Sequence, residues 1–337
     1  MSKKYDTLVF IGRFQPLHSA HLEIIKRATA LCHQLVIIVG SARQPRTYKN
    51  PFNFDERREM IYHATRGLDM QVAIEANTDS IYNDAQWAVR VQAIVAKYST
   101  GKSKVGVIGH KKDDSSSYLN FFPQWGLEEV DLIEPLNATD VRDLYFRRDA
   151  NMNFIRSVVP PSTFDFLDSF RSSPEYEQTI REREFIQNYK KQYASLPYPP
   201  VFVTTDAVVI QSGHILLVER KAEPGKGLLA LPGGFLNQNE RIIDGVIREL
   251  REETKIKVPG PVLRGNIKRT EVFDHPDRSA RGRTITHACL IEFPDGELPK
   301  VKGADDARTA KWYPFNDIDP SNMFEDHHQI IQQMIGI

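Results

Sequence analysis

The densest chemistry in this sequence lies at Gly234, Glu240, Arg248, Glu249, Glu252 and Glu253. On a helix, Glu249, Glu252 and Glu253 stand at i, i+3 and i+4, so their three carboxylates share a face. Anions this close repel unless a cation sits among them, and hard oxygen donors select Mg²⁺ or Mn²⁺, often more than one ion. Arg248 is placed to pair with Glu240 and hold the cluster still. Charged residues at this spacing also line ordinary exposed helices, but here the Gly-Gly pair and Glu240 fix the frame as well. Asp305, Asp306 or one of the glutamates is a candidate general base, and spacing does not choose between them.

A second cluster, Gly12-Arg13-Phe14-Gln15-Pro16-Leu17-His18-Ser19-Ala20-His21, joins a β-branched run to an amphipathic one. A helix starting there turns unpaired N–H groups and its positive end toward an anion, and Gly12 admits close backbone approach. His18 and His21, three apart, can both donate to charge building on that anion; the same spacing also serves metal ligation or core packing. Further on, Thr139 can cap a helix with Arg142 one turn later, read either as reaching a phosphate or as a capping threonine with a surface arginine. Arg281 and Arg283 lie in a loop leading to a strand, read either as bordering a diphosphate or as solvated.

The elements that must carry these residues alternate in the first half. Strand-like runs at 7–11, 35–39, 72–76, 105–109 and around 130–133 are separated by helical patterns at 20–31, 54–64, 84–98 and 140–147, which predicts βαβ units and a parallel sheet. A mixed-charge helical stretch at 175–191 reads first as a solvated spacer and second as a partner-binding helix, and the prolines of Leu196-Pro197-Tyr198-Pro199-Pro200 end it. Beyond them strands at 201–211 and 214–220 and a helix at 241–253 predict an α+β domain. The expected division is 1–171, a linker at 172–200, and 201–337.

With 337 residues, two cores are the simplest arrangement. Lys plus Arg and Asp plus Glu both number 44, so no long-range field draws the chain onto nucleic acid or an anionic membrane. Neither a bilayer-length apolar run nor a signal-peptide pattern is visible, and the expectation is a cytoplasmic protein. Cys32, in a helical pattern, and Cys289, in a strand pattern, have neither metal-site nor disulfide spacing and read as buried apolar residues. A homo-oligomer stays open.

The first cluster resembles the nucleotidyltransferase superfamily, whose signature is (H/T)-x-G-H after a strand ending in G-x-F-x-P, with Ala20 replacing the glycine. Ala138-Thr139-Asp140-Val141-Arg142 resembles the family's S-T-x-x-R element. Gly40-Ser41-Ala42-Arg43, 50–57 and Asn83-Asp84-Ala85-Gln86-Trp87 are similar to nicotinamide mononucleotide (NMN) adenylyltransferases of the archaeal-like type. That resemblance implies a Rossmann-like α/β domain that binds ATP and NMN and makes NAD. It assigns Gly12, Arg13, Phe14, Arg43, Thr139, Lys111 and Asp113 to nucleotide binding and Trp87 to stacking on the nicotinamide, a tryptophan that alone reads equally as core. The second cluster resembles the Nudix box, G-x5-E-x7-R-E-U-x-E-E-x-G-U, with Lys255 in place of the last glycine. Lysine there must take a left-handed backbone or the helix must end another way. The box implies a C-terminal α+β Nudix fold that hydrolyses a nucleoside diphosphate derivative, with Gly234 among the metal-binding residues. The pairing resembles bacterial bifunctional enzymes acting on NMN and ADP-ribose, with Mg²⁺ (or Mn²⁺) at both sites. The alternatives are a flavin mononucleotide adenylyltransferase and a ligand-sensing Nudix module without catalysis. The intact glutamates favour catalysis.

Overall fold

In the computed structural model, which describes residues 3–110, 121–131 and 137–336, the apolar runs of the first half form strands Tyr5–Gly12 (β1), Cys32–Val39 (β2), Gln71–Ala76 (β3), Val105–Gly109 (β4) and Gly126–Glu129 (β5). All pair in parallel, in the order β3-β2-β1-β4-β5. Central parallel strands are covered on both faces, which is why β1 and β2 are apolar at successive positions. Leu8, Phe10, Leu35, Ile37 and Val39 enter one core, and Val9, Ile11, Val36 and Ile38 enter the other. Helices Ser19–Leu31 (α1) and Phe54–Thr65 (α2) supply Ile24, Ile25, Met60 and Ile61 to the first core. Asp84–Ala96 (α3) supplies Val91, Ile94 and Val95 to the second. Ala138–Tyr145 (α4), Met152–Val158 (α5) and Pro161–Phe170 (α6) follow. Strand order reverses between β1 and β4, and the crevice beyond their carboxyl ends is where open sheets of this kind bind ligands.

The chain divides into two compact units, Met1–Ile180 and Arg181–Ile337. Helix Pro174–Lys191 (α7) runs across the division. The solvated-spacer reading of this stretch needs correction: Tyr176 and Ile180 are buried in the first unit, and Glu182, Arg183 and Ile186 are buried in the second. Position on the helix decides its burial, since Tyr176 and Ile180 stand one turn apart, as do Glu182 and Ile186.

In the second unit, Phe202–Gln211 (β6), His214–Arg220 (β7), Leu229–Ala230 (β8), Gly233–Phe235 (β9), Ile267–Phe273 (β10), Thr284–Glu292 (β11) and Ala307–Pro314 (β12) form a mixed sheet. Its order is β10-β11-β6-β7-β12, with β8 on β7 and β9 on β6. Only β6 with β11 is parallel. Helix Ile242–Thr254 (α8) packs Val246 and Leu250 onto Ala207, Val209 and Leu216. It stops at Lys255, which takes the left-handed backbone (φ 48°) while its N–H bonds to Arg251 O. A non-glycine residue there costs roughly 1–2 kcal/mol. Helices Gly260–Gly265 (α9) and His327–Ile335 (α10) complete the unit. Cys32 begins β2 rather than lying in a helix, and both cysteines are buried and free. Among the described residues no helix is long and apolar enough to cross a membrane.

Candidate active sites

At the switch point, the β1–α1 loop is built around a buried ring. Phe14 has φ 50° and is 1% exposed, and a Cβ on Gly12 would meet that ring at 3.0 Å. Gly12 therefore makes room for Phe14, and Phe14 shapes the loop from the core rather than offering a face to a ligand. Gln15 locks the loop to the next one: its Nε2 donates to Phe52 O (2.8 Å) and its Oε1 accepts from Phe52 N (3.0 Å).

His18 is the N-cap of α1, and its ring stacks on that of His21 with centroids 3.6 Å apart. The two imidazoles are not equivalent, since His18 is 4% exposed and His21 is half-buried. His21 Nδ1 accepts the His18 backbone N–H (3.3 Å). Burial and the adjacent His18 hold the His21 imidazole well below its usual range. A neutral ring whose Nδ1 accepts carries its proton on Nε2, which makes His21 a donor. Arg142, buried, donates to Gln15 O (2.8 Å) and Thr139 Oγ1 (3.1 Å), and burial lowers it to about 10. The cap of α4 is Asn137, whose Oδ1 accepts from Asp140 N (2.9 Å). Thr139 instead orients Arg142.

Arg13 and Arg43 are exposed. Trp87 is half-buried on α3, edge-on to Phe121 (6.1 Å). Lys111 and Asp113 lie outside the described residues.

Spacing did not single out Arg57, yet it is the buried tie of this site. Its guanidinium donates to Arg13 O (2.8 Å), Gly40 O (2.7 Å), Ser41 O (3.0 Å) and Asn53 O (3.1 Å). It thus fastens the segments that follow β1 and β2. Asp79 adds a second clasp, accepting Ser41 N (3.0 Å) and Ser41 Oγ (2.6 Å). Lysine cannot span this set of carbonyls. Arg57→Lys is expected to lower the stability of the first unit by about 3 kcal/mol. Denaturant unfolding measures it, with diphosphate hydrolysis by the second unit retained.

In the second unit, Glu253 follows Val246 and Leu250 on the inward face of α8, so the packing that seats the helix also buries this carboxylate. It is 7% exposed and accepts Gly233 N (3.0 Å), and burial pushes it up to about 8. Burial also raises Glu249. Arg248 makes the predicted pair with Glu240 in a two-point clasp (2.9 and 2.6 Å), holding Glu240 down to about 2. It also reaches Glu249 (2.8 Å) and Glu252 (2.9 Å). A Cβ on Gly234 would lie 2.5 Å from Glu249 Oε1, so the glycine is what lets β9 lie against the carboxylates.

Gly233, Gly234, Arg248, Glu249, Glu252 and Glu253 line one cleft of about 510 Å³ together with Asp305, Asp306 and Arg281. Arg283 is not among its lining residues and bonds instead to Asp274 O. Among the described residues no three potential ligand side chains converge as a ready metal cage; two of the three glutamates turn to Arg248. Buried carboxylates with raised proton affinity, in a hard-oxygen set, nevertheless fit a divalent cation that would replace the proton.

Arg278, Glu325 and His327, which the sequence did not single out, also line this cleft. Arg278 and Asp326 form a buried two-point pair (2.9 and 3.0 Å), and Glu325 has φ 44°. His327 Nδ1 accepts Leu231 N (2.9 Å). Burial lowers the His327 imidazole from 6.5 to about 3. Between those values the unfolded chain holds the extra proton, so the contribution is complete above pH 6.5 and is lost as pH falls toward 3. From pH 7 to pH 5 the second unit is expected to lose about 2 kcal/mol through this group. Melting curves across that range check it: His327→Asn, whose Oδ1 can take the Leu231 N–H, should flatten the dependence.

A crystal structure of a bifunctional NMN adenylyltransferase/ADP ribose pyrophosphatase from Francisella tularensis, complexed with AMP and a manganese ion, matches with a TM-score of 0.92 at 36% identity, covering 98% of this chain and 99% of that one. The chain belongs to the bifunctional NMN adenylyltransferase/ADP-ribose pyrophosphatase family. Each half of this family member matches separately. Residues 9–157 fit the cytidylyltransferase-like family and residues 201–334 the NUDIX domain. A nicotinamide/nicotinic acid mononucleotide adenylyltransferase of Acinetobacter baylyi is 40% identical over 176 residues, 52% of this chain and 92% of the relative. An ADP-ribose pyrophosphatase of Methanocaldococcus jannaschii is 36% identical over 142 residues, 42% of this chain and 76% of the relative.

Proposed function

We propose that the first unit transfers AMP from ATP to NMN, giving NAD and pyrophosphate, and that the second hydrolyses ADP-ribose to AMP and ribose 5-phosphate, in the cytoplasm. The observation that carries this reading is the contrast between the two phosphate sites, imidazole and guanidinium in one and clustered carboxylates in the other, within a chain similar over nearly its whole length to a protein of both activities.

In the first reaction an NMN phosphate oxygen attacks the α-phosphorus of ATP, and pyrophosphate leaves. No protein nucleophile is needed, so the protein's task is alignment and charge neutralisation. Mg²⁺ on the triphosphate would supply further charge neutralisation. His21, as a neutral Nε2–H donor, and His18 meet the charge developing at the α-phosphate. Arg142 and Arg13 meet the triphosphate, and Arg57 keeps the loops in register. Trp87 takes the nicotinamide ring.

In the second reaction water attacks a phosphorus of the diphosphate. Glu249, Glu252 and Glu253, with the Gly234 carbonyl, would hold Mg²⁺ or Mn²⁺, which supplies charge neutralisation and an acidified water. Arg248 and Glu240 hold the carboxylates in place, Arg281 neutralises the diphosphate, and Asp305, Asp306 and the glutamates of α8 are the candidate bases within the cleft. Incubating the protein with Mg²⁺ and a panel of mononucleotides and dinucleotides, with products resolved by chromatography, tests the reading. NAD from ATP plus NMN, and AMP from ADP-ribose, are the expected products; absence of either removes that half.

A further inference from the structure

Three consecutive residues at the start of α10, Glu325, Asp326 and His327, each hold a different part of the second unit's cleft. Glu325 Oε1 accepts the Ala280 N–H (3.1 Å). Both Asp326 oxygens accept from the Arg278 guanidinium, and the two side chains are almost fully buried. His327 reaches elsewhere, accepting the N–H of Leu231 just past β8 (2.9 Å). The backbone adds a fourth tie, since Phe324 N donates to Leu229 O of β8 (2.7 Å). These contacts fan out where Glu325 takes a left-handed backbone (φ 44°) that side-chain-bearing residues rarely adopt.

What the segment holds bears on the chemistry. The loop between β10 and β11, gripped at Arg278 and Ala280, carries Arg281. Ser279, seated between the two gripped residues, accepts from Arg281 N (3.4 Å) and Arg281 Nε (3.5 Å) through its Oγ. On the other side, the chain held at Leu231 runs two residues on to Gly233, whose N–H bonds to Glu253. Arg281 and Glu253 line the same cleft. A buried ion pair is weak evidence for stability, because both charges lose their water, but a two-point clasp fixes direction. From these contacts we infer that Glu325, Asp326 and His327 are positioning residues. They bracket the 278–281 loop to the β8–β9 segment, so that the Arg281 guanidinium meets the diphosphate beside the carboxylates. The inference rests on the reading of this cleft as a diphosphate hydrolase.

Positioning through Arg281 leaves a signature that general packing does not. Two changes that act through one residue fail to add. In the full chain, Arg281→Ala is expected to lower kcat/KM for ADP-ribose by about tenfold to a hundredfold, the scale of one lost charged hydrogen bond. Asp326→Asn should lower it by about tenfold or more, the scale of a group displaced by about an ångström. The double variant should be no worse than Arg281→Ala alone. Glu325→Ala should depend on Arg281 in the same way, and Glu325→Gln, whose amide oxygen still accepts the Ala280 N–H, should recover most of the loss. If Asp326→Asn does not fold, Arg278→Met with Asp326→Leu, which leaves no unpaired buried charge, replaces it. Unchanged kcat/KM in the single variants at 325 and 326, losses that multiply in the double variants, or equal losses in Glu325→Gln and Glu325→Ala overturn the bracket. If wild-type protein does not hydrolyse ADP-ribose, the hydrolase reading fails, and amide hydrogen exchange in the ligand-free chain decides the bracket. Exchange at Ala280 rising severalfold in Glu325→Ala but not in Glu325→Gln then supports it, and equal exchange in all forms overturns it.

Discussion

Glu253→Gln is expected to lower ADP-ribose hydrolysis by at least about a hundredfold while leaving NAD synthesis at the wild-type rate. The amide keeps the shape of the side chain and can still accept the Gly233 N–H, so the contact between β9 and α8 survives. It removes a carboxylate that burial holds at about 8, and a buried neutral group costs the fold less than a buried charge. The variant should therefore melt no lower than wild type. Loss of hydrolysis without loss of stability separates a role in gathering cations from a role in packing. Steady-state hydrolysis assays and melting curves on one preparation read both.

His18→Ala is expected to do the reverse, lowering adenylylation by about a hundredfold to a thousandfold with hydrolysis intact. Because His18 is 4% exposed and stacked on His21, its removal tests two roles at once. If the imidazole meets charge on the reacting phosphate, kcat falls while NMN and ATP still saturate the enzyme. If it only packs, stability falls and kcat stays.

What the sequence revealed was what lies close together along the chain. The three glutamates, Arg248 and Glu240 sit within one helix and the turn before it, and their pairing was readable from spacing. The parallel sheet was readable because strand-like runs alternate with helical patterns through the first half. Spacing could not grade the glutamates. Only packing of α8 on the sheet buries Glu253 while the Glu252 side chain stays 43% exposed. Nor could it find Arg57, whose acceptors lie on three separate segments, or Asp79, 38 residues from Ser41. Thr139 was read as a cap because threonine caps well, but Asn137 stood two residues earlier and caps equally well. The charges of α7 hid a helix whose Phe185 and Tyr189 line the second unit's cleft, because composition reports charge and burial follows from position on the face.

The most direct measurement mixes purified His18→Ala and Glu253→Gln proteins with ATP, NMN, ADP-ribose and Mg²⁺ and resolves the products over time. Each variant alone should yield one product pair, and the mixture should yield NAD with pyrophosphate and AMP with ribose 5-phosphate, each at the rate of the competent variant. A mixture that still lacks either pair, or a variant in which both pairs fall together, would contradict two independent phosphate sites in one chain.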